Sequence, residues 1–370
     1  MAAPGKHRAR TSDRLFLEAA LQNGKISRAG AAEALGVSKP TASEAVERLV
    51  EAKLLQPAGQ KTGTKGRAAK LFEPSQDFGC ALVLVARSGE LVTGHVDLAG
   101  HLHEEHRSAL PRDLAPEQLV RTVTEHLTVT SKQSLEWRCV IAAVAVPVDP
   151  RTSRPRPDAE TPFPAADIDL VDVMKPWCSG PIIVDNDVNW AALWACEKHP
   201  PLQSGVVLHV YLGAGLGAAL TIDAHIHPGR RGAFGEIGQL KTQGHSVTAA
   251  LGELGVLGRG SHYIDVERCV QTIETDPVGE AVCAVLAEAI GNATTLLDPD
   301  HLVLTGPLTE RTATSRRILA AVEERLGPDP TPITMLTSDV DVVRSGAVVG
   351  ARRTMHQLAR ESLGSTSTPE

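Results

Sequence analysis

No stretch of this 370-residue chain reaches the roughly 18 to 20 uninterrupted apolar residues that a membrane-spanning helix needs, and no apolar run follows the basic opening MAAPGKHRARTSDRL. A membrane partner and a secretory leader are therefore not expected. The cysteines are few and scattered: Cys80, Cys139, Cys178, Cys196, Cys269 and Cys283 show none of the close pairs of a zinc knuckle or a disulfide framework. They read as buried thiols in a reducing compartment, so redox and zinc chemistry are not expected, and a cytoplasmic location is. Hydrophobic residues make up 42% and charged residues 22% of the chain. That balance excludes a disordered or fibrous protein, and the length accommodates two or three domains with a sizeable core.

The net charge of −7 conceals an asymmetry. Residues 1–74 hold 13 Lys/Arg against 7 Asp/Glu, and the rest holds 24 against 37. A basic head on an acidic body implies that only the head meets a polyanion.

Within the head, SDRLFLEAALQNGK places Leu15, Phe16, Ala19 and Ala20 on one helical face, with Ser12 as N-cap and Gly24 as stop. Ser27 can cap a second helix over RAGAAEALG that ends at Gly36, and Ser38 a third over KPTASEAVERLVEAKLL. Small residues Ala31, Ala32 and Ala34 allow close crossing, and Ala42, Ala45, Val46 and Leu49 form the inward face of the third helix. This is helix-turn-helix spacing. Side chains near the start of that helix, Ser38, Lys39, Pro40, Thr41, Ser43 and Glu44, are the candidates for base edges, and Arg48 for phosphate. The run LLQPAGQKTGTKGRAAKLFEP then reads as a hairpin wing, with Lys61, Lys65, Arg67 and Lys70 against the DNA backbone and Arg67 able to enter the minor groove. The competing reading is a generic three-helix subdomain.

Beyond Pro74, extended apolar runs such as CVIAAVAVPV and PIIVDN alternate with helical runs such as GEAVCAVLAEAIGNATTLLD. The class is α/β with mixed sheets. Three stretches, PIIVDNDVNWAALWACEKH, VVLHVYLGAGLGAALTIDAHIHPGRRGAFGEIGQL and LAEAIGNATTLLDPDHLVLTGPL, together resemble in order and spacing the ROK family (repressors, open reading frames and kinases) over about Phe78 to Arg353. The resemblance implies an actin-like body of two ribonuclease-H-type lobes around a ligand cleft. With the winged helix-turn-helix head in front, the chain is similar to the repressor branch. The domains expected are a DNA-binding head at 1–74 and a sugar-kinase-like body at 75–370, with lobes at about 75–185 and 186–353.

The resemblance also locates the cleft chemistry. Asn186 and Asp187 match the family's Asn-Asp pair, whose Asp is the general base toward a sugar hydroxyl in the kinases. Asn186 or Asp187 can equally cap the helix that follows. Glu236 matches a second sugar-contacting carboxylate set between glycines, and a buried helix-entry Glu is its alternative. Gln239 stands where the family has a zinc-ligating His, and the Cys-rich element that completes that zinc site is absent, so no metal is expected.

The family's phosphate hairpin, Asp-x-Gly-x-Thr, is replaced by Leu84, Val85, Ala86 and Arg87. Ala214 replaces the hydroxyl of the second phosphate loop, and Pro307 a glycine of the third. The ATP site therefore reads as lost, with no cofactor and no catalytic residue expected. Arg230 and Arg231 could select an anionic ligand, or simply face solvent. The His101, His103 and His106 cluster reads as a solvated edge. The function implied is a transcriptional repressor that binds double-stranded operator DNA as a homodimer or homotetramer and responds to a sugar or sugar-derived effector. A sugar kinase with an accessory head and a DNA-binding regulator without an effector are the alternatives.

Overall fold

A computed structural model describes residues 4–364 except 62–68, 88, 112–113, 132–135, 157–167, 243, 259–261, 276 and 339. The head comprises α1 (Pro4–Asn23), β1 (Ile26–Ser27), α2 (Arg28–Ala34), α3 (Lys39–Glu51), β2 (Leu55–Lys61) and β3 (Ala69–Pro74). Its local signals act where they were expected. Ser27 Oγ accepts from the Gly30 amide and Ser38 Oγ from the Thr41 amide, each satisfying a helix-entry donor. Gly24 and Gly36, at φ 73° and 64°, turn the chain out of α1 and α2. The strands form an antiparallel sheet in the order β1-β3-β2.

Three details of the head differ from the sequence pattern. Ser12 lies inside α1, which starts at Pro4, and is not its cap. Among the apolar residues of α1 it is Phe16, Leu17 and Ala20 that are buried, whereas Leu15 is 40% exposed, because the buried face is chosen by α3 and by the last helix of the chain. Ala42, Ala45, Val46 and Leu49 of α3 are fully buried, and Ala34 is exposed.

The body repeats one sheet design twice. In the first lobe β4 (Cys80–Arg87), β5 (Gly89–Val96), β6 (Leu102–Leu110), β7 (Trp137–Val144) and β10 (Ile182–Asn186) run in the order β10-β7-β4-β5-β6. Helix α4 (Pro116–Ser131), the small ladder of β8 (Val148–Asp149) with β9 (Arg154–Pro155), and α5 (Leu170–Met174) lie along its connections. After α6 (Asp187–Lys198) the second lobe sets β11 (Val206–Leu212), β12 (Leu216–Ile222), β13 (His225–Ile226), β16 (His301–Thr305) and β17 (Ile333–Met335) in the order β13-β12-β11-β16-β17. In each sheet the first three strands are antiparallel and the last two join in parallel. This is the expected pair of ribonuclease-H-type lobes. The hairpin of β14 (Lys241–Thr242) and β15 (His245–Ser246) and helices α7 (Val247–Glu253), α8 (Val266–Thr275), α9 (Gly279–Leu297) and α10 (Thr312–Leu326) complete the second lobe. Among the described residues α9 alone is long and apolar enough to cross a membrane, and here Val282, Leu286, Ala289 and Ile290 bury its face in the lobe core.

The final helix, α11 (Val342–Gly364), was expected to belong in part to the second lobe. It returns instead to the first, packing along α6, β4 and β7. The approach to α6 is set by glycine: a Cβ on Gly346 would stand 1.7 Å from the Trp190 carbonyl oxygen, and one on Gly350 2.3 Å from the Trp190 ring. At its far end α11 reaches the head, where Arg360 makes two hydrogen bonds of 2.8 and 3.1 Å to Glu18 of α1. Phe16, Leu17, Leu49 and Phe72 of the head share one apolar cluster with Val83, Leu98, Met355 and Ala359 of the body. Head and first lobe are thus fused through a common core.

Candidate functional site

Between the lobes lies a cleft of about 570 Å³, within the size range of small-molecule sites. The four residues that sequence reasoning assigned to an effector, Asn186, Asp187, Glu236 and Gln239, all line it, although they come from segments some 50 residues apart. β10 and α6 deliver the first two at the strand-to-helix junction. Asn186 Oδ1 accepts from the Val188 amide at 2.9 Å and Nδ2 donates to the Val146 carbonyl at 3.1 Å, so its amide serves as the helix cap. Asp187 is half-buried in the cleft wall. Glu236 sits on a loop pressed against the second lobe by flanking glycines. The Ala218 amide donates to the Gly235 carbonyl at 2.7 Å, and Gly235, at φ 90°, has no room for a Cβ beside Ala218 O. Thr248 of α7 donates to the Gly238 carbonyl at 3.1 Å and fixes the other side.

Burial raises the Asp187 carboxyl to about 6, against the pull of the Arg87 guanidinium, which favours ionisation. Between about pH 4 and 6 the folded chain therefore holds a proton that the unfolded chain releases. The stability tied to that proton is complete below the unfolded value of 3.8 and is lost as pH rises through 6. The difference of about two units corresponds to roughly 3 kcal/mol at neutral pH. Asp187→Asn, which mimics the protonated form, is expected to raise Tm by several degrees at pH 7.5 and to change it little at pH 4. Thermal melts of both proteins at the two pH values decide this, and an equal change at both would rule out the burial strain.

The hairpin of β4 and β5 brings Arg87, Gly89 and Glu90 to the same cleft. Leu84, Val85 and Ala86 are buried with no exposure, so the β4 arm puts no carboxylate where a metal-nucleotide complex needs one, and the nearest, Glu90 on β5, is paired with Arg87. Arg87 instead bridges two acids. It donates through Nη2 to Asp341 Oδ2 at 2.6 Å, more weakly through Nη1 at 3.4 Å, and through Nε to Glu90 Oε1 at 2.9 Å. A second chamber of about 430 Å³ lies beyond it, sharing Arg87, Tyr211 and Pro307 with the first and adding Glu310, Ser338 and Asp341. The glycine turn Gly213–Gly217 closes the cleft tightly, since a Cβ on Gly217 would meet Val188 at 2.7 Å. Sequence reasoning missed Glu90, Tyr211, Thr248 and His262 as lining residues. Tyr211 immediately precedes the GAGLG turn, which was a usable signal. Arg230 and Arg231 are exposed and are not among the described lining residues.

No group of three His, Cys, Asp or Glu side chains among the described residues could hold a metal ion. The six cysteines are all buried without disulfides, and burial pushes the thiols of Cys80, Cys139 and Cys269 up to about 12. Of the histidine cluster, His103 is held by Asp97 at 2.8 Å on the edge strand β6.

In the head, Ser38, Lys39, Pro40 and Glu44 are exposed, and Thr41 and Ser43 are partly so, at the start of α3. The Thr41 hydroxyl lies 2.8 Å from that of Ser38. Arg48, the expected phosphate contact, is partly exposed and is paired with Asp13 of α1 through bonds of 2.7 and 2.9 Å, Asp13 being 35 residues away in sequence but adjacent across the helix pair. Lys65 and Arg67 lie outside the described residues, and of Lys61 only the backbone is described, paired with Ala69.

Two actin-like lobes with a carboxylate-lined cleft, fused to a small helical head, define the class of protein. The ROK family model matches residues 90–259, so the chain carries a ROK family domain across the cleft. It is 25% identical over 188 residues to the xylose repressor of Lactiplantibacillus pentosus, a match that takes in 46% of this chain and 48% of that one. The chain thus spans about half the length of that relative. In fold it is similar to a ROK family transcriptional regulator described as a homolog of the E. coli MLC protein, at TM-score 0.65 and 15% identity over 97% of this chain and 98% of the other. It is also similar to a ROK family glucokinase from Streptomyces griseus solved with glucose and AMPPNP, at TM-score 0.57 and 19% identity over 74% of this chain and all of that one. The regulator's likeness extends through the head, and the kinase's covers about the share of the chain that the body occupies.

Proposed function

We propose that the protein is a DNA-binding transcriptional repressor whose grip on its operator is set by a sugar or sugar-derived ligand in the interlobe cleft. The observation that carries this reading is the single core that fuses a basic three-helix head to a two-lobed cleft body. We read the head as a winged helix-turn-helix, with α3 in the major groove and the hairpin of β2 and β3 as its wing. We assign Ser38, Lys39, Pro40, Thr41, Ser43 and Glu44 to the base-reading end of the head, and Lys61, Lys65 and Arg67 to the role of phosphate contacts. Binding is as a homodimer or homotetramer on a pseudo-palindromic site.

In the cleft, Asp187 and Glu236 accept hydrogen bonds from ligand hydroxyls, and Gln239 offers an amide. The signal reaches the DNA head through α11, whose first turn is tied to the cleft by Arg87 and Asp341 and whose last turns are tied to α1 by Arg360 and Glu18. α1 in turn holds α3 through Asp13 and Arg48. A ligand that shifts one lobe against the other then reorients α3.

A kinase reading shares the lobes and Asp187, but Arg87 and its two acid partners stand at the hairpin tip. The deciding experiment measures operator binding and ATP turnover on one preparation. The operator is first selected from a random duplex pool, and its affinity is expected to fall with a log–log salt slope of about −4 to −5, the release expected for about five phosphate contacts. No sugar-dependent ATP turnover is expected. Turnover of ATP on a hexose, with no sequence selected from the pool, would replace this reading with the kinase.

A further inference from the structure

The charge around the cleft is lopsided. Glu90, Asp187 and Glu236 line the first chamber and Glu310 and Asp341 the second, whereas Arg87 is the only Arg or Lys among the described lining residues of either. That one cation is already neutralised: Glu90 and Asp341 hold it from two sides, on opposite ends of the chain, with all three side chains no more than 27% exposed. A phosphate entering here needs donors to replace its water, and charge-assisted donors above all. The other described walls add hydroxyl, amide and imidazole groups at Tyr211, Gln239, Thr248, His262 and Ser338 but no second Arg or Lys. Ala214 presents a methyl group on the glycine turn, and Pro307, which faces both chambers, has no N–H to give. Carboxylates, by contrast, are acceptors that suit the hydroxyl groups of a neutral ligand.

We propose that the Arg87, Glu90 and Asp341 cluster determines the specificity of this cleft by withholding its cation, so that the site takes an uncharged, polyhydroxylated ligand and refuses phosphorylated sugars and nucleotides. The inference rests on the cleft being a ligand site, as argued above, and it narrows the ligand class. It also assigns a role to Arg87 beyond the loss of a phosphate hairpin. The guanidinium is the plug of the second chamber, and Asp341 is its holder.

The test frees the cation without unfolding the chain. Glu90→Gln keeps the shape of the side chain. Asp341→Asn keeps the helix cap, since Asp341 Oδ1 accepts from the Arg344 amide at 3.1 Å and an asparagine oxygen caps as well. The double variant E90Q/D341N is titrated calorimetrically with glucose 6-phosphate and with inorganic tripolyphosphate, beside the wild type. A triple variant that also carries Arg87→Ala subtracts anion binding by the basic head.

At least tenfold tighter Arg87-dependent binding of either anion in the double variant is expected. Wild-type protein that binds either anion and loses it on Arg87→Ala overturns the proposal, as does a double variant that gains nothing. A parallel thermal-shift panel sets neutral hexoses and pentoses against their phosphates on the wild type. Stabilisation by a neutral sugar but not by its phosphate supports the proposal, and the reverse overturns it. If no sugar acts while the double variant gains anion binding, the charge plug stands and the sugar-responsive reading falls, so the two failures are distinguishable.

Discussion

Gly346→Val is expected to remove about 3 kcal/mol or more of stability and to leave much of the chain unfolded at 37 °C. At this position on α11 the backbone of α6 is so close that a Cβ would stand 1.7 Å from the Trp190 carbonyl oxygen and 2.3 Å from its carbon. No rotamer relieves such an overlap, because the obstacle is main chain in a helix. The helices must separate, and Trp190, Ala191 and Leu193 then lose contact with Ala347 and Val349 in the core that the head shares. Overpacking of this kind commonly costs about 1 to 3 kcal/mol, with larger losses where the backbone itself is displaced. Gly364→Ala, at the open end of the same helix with nothing within 4 Å, is the matched control and should be neutral or slightly stabilising. Denaturant melts of the three proteins check the pair. A Gly346→Val variant as stable as wild type would mean that α6 and α11 do not pack as described.

What was legible in the sequence follows the range of the interaction. Caps at Ser27 and Ser38 and stops at Gly24 and Gly36 act within four residues of themselves, and each was readable from its own neighbours. The inward face of α3 was readable for the same reason, since 3.6-residue periodicity is local. The face of α1 was not: its partners are α3 and α11, and the latter begins more than 300 residues later. Asp13 with Arg48, Arg360 with Glu18 and Arg87 with Asp341 are pairs of this kind, 35, 342 and 254 residues apart. No pattern in the chain announces them, and they decide that Arg48 is paired with Asp13 and that Arg87 is occupied. The lining residues Asn186, Asp187, Glu236 and Gln239 were found only because whole stretches resembled a family. Composition and spacing alone left Asn186 as a helix cap, which is what its amide does.

Asp187→Ala and Glu236→Ala are expected to abolish the response to the ligand while leaving operator affinity within about twofold of wild type. Each carboxylate lines the cleft, and neither contacts the head. Loss of an anchoring acceptor for a ligand hydroxyl leaves a buried donor unpaired and typically weakens binding by orders of magnitude where the site is desolvated. The surface proposed to meet DNA is untouched, because in the proposed scheme the path from cleft to head runs through α11 and its tie to Glu18, and neither substitution removes a member of that path.

The same scheme makes Arg360→Ala the complementary case. It should keep ligand affinity but weaken the effect of ligand on DNA, since it removes the tie between α11 and α1. Coupling between the two sites must be reciprocal, so operator DNA should shift ligand affinity by the same factor that ligand shifts operator affinity, typically a coupling of about 1 to 3 kcal/mol. Titrations of ligand with and without the selected operator, in wild type and the three variants, measure every corner of this cycle. If ligand released wild type, Asp187→Ala and Glu236→Ala from the operator at one concentration, the ligand would be bound outside the cleft. If Arg360→Ala kept the full coupling, the signal would travel between the lobes and the head by a route other than α11.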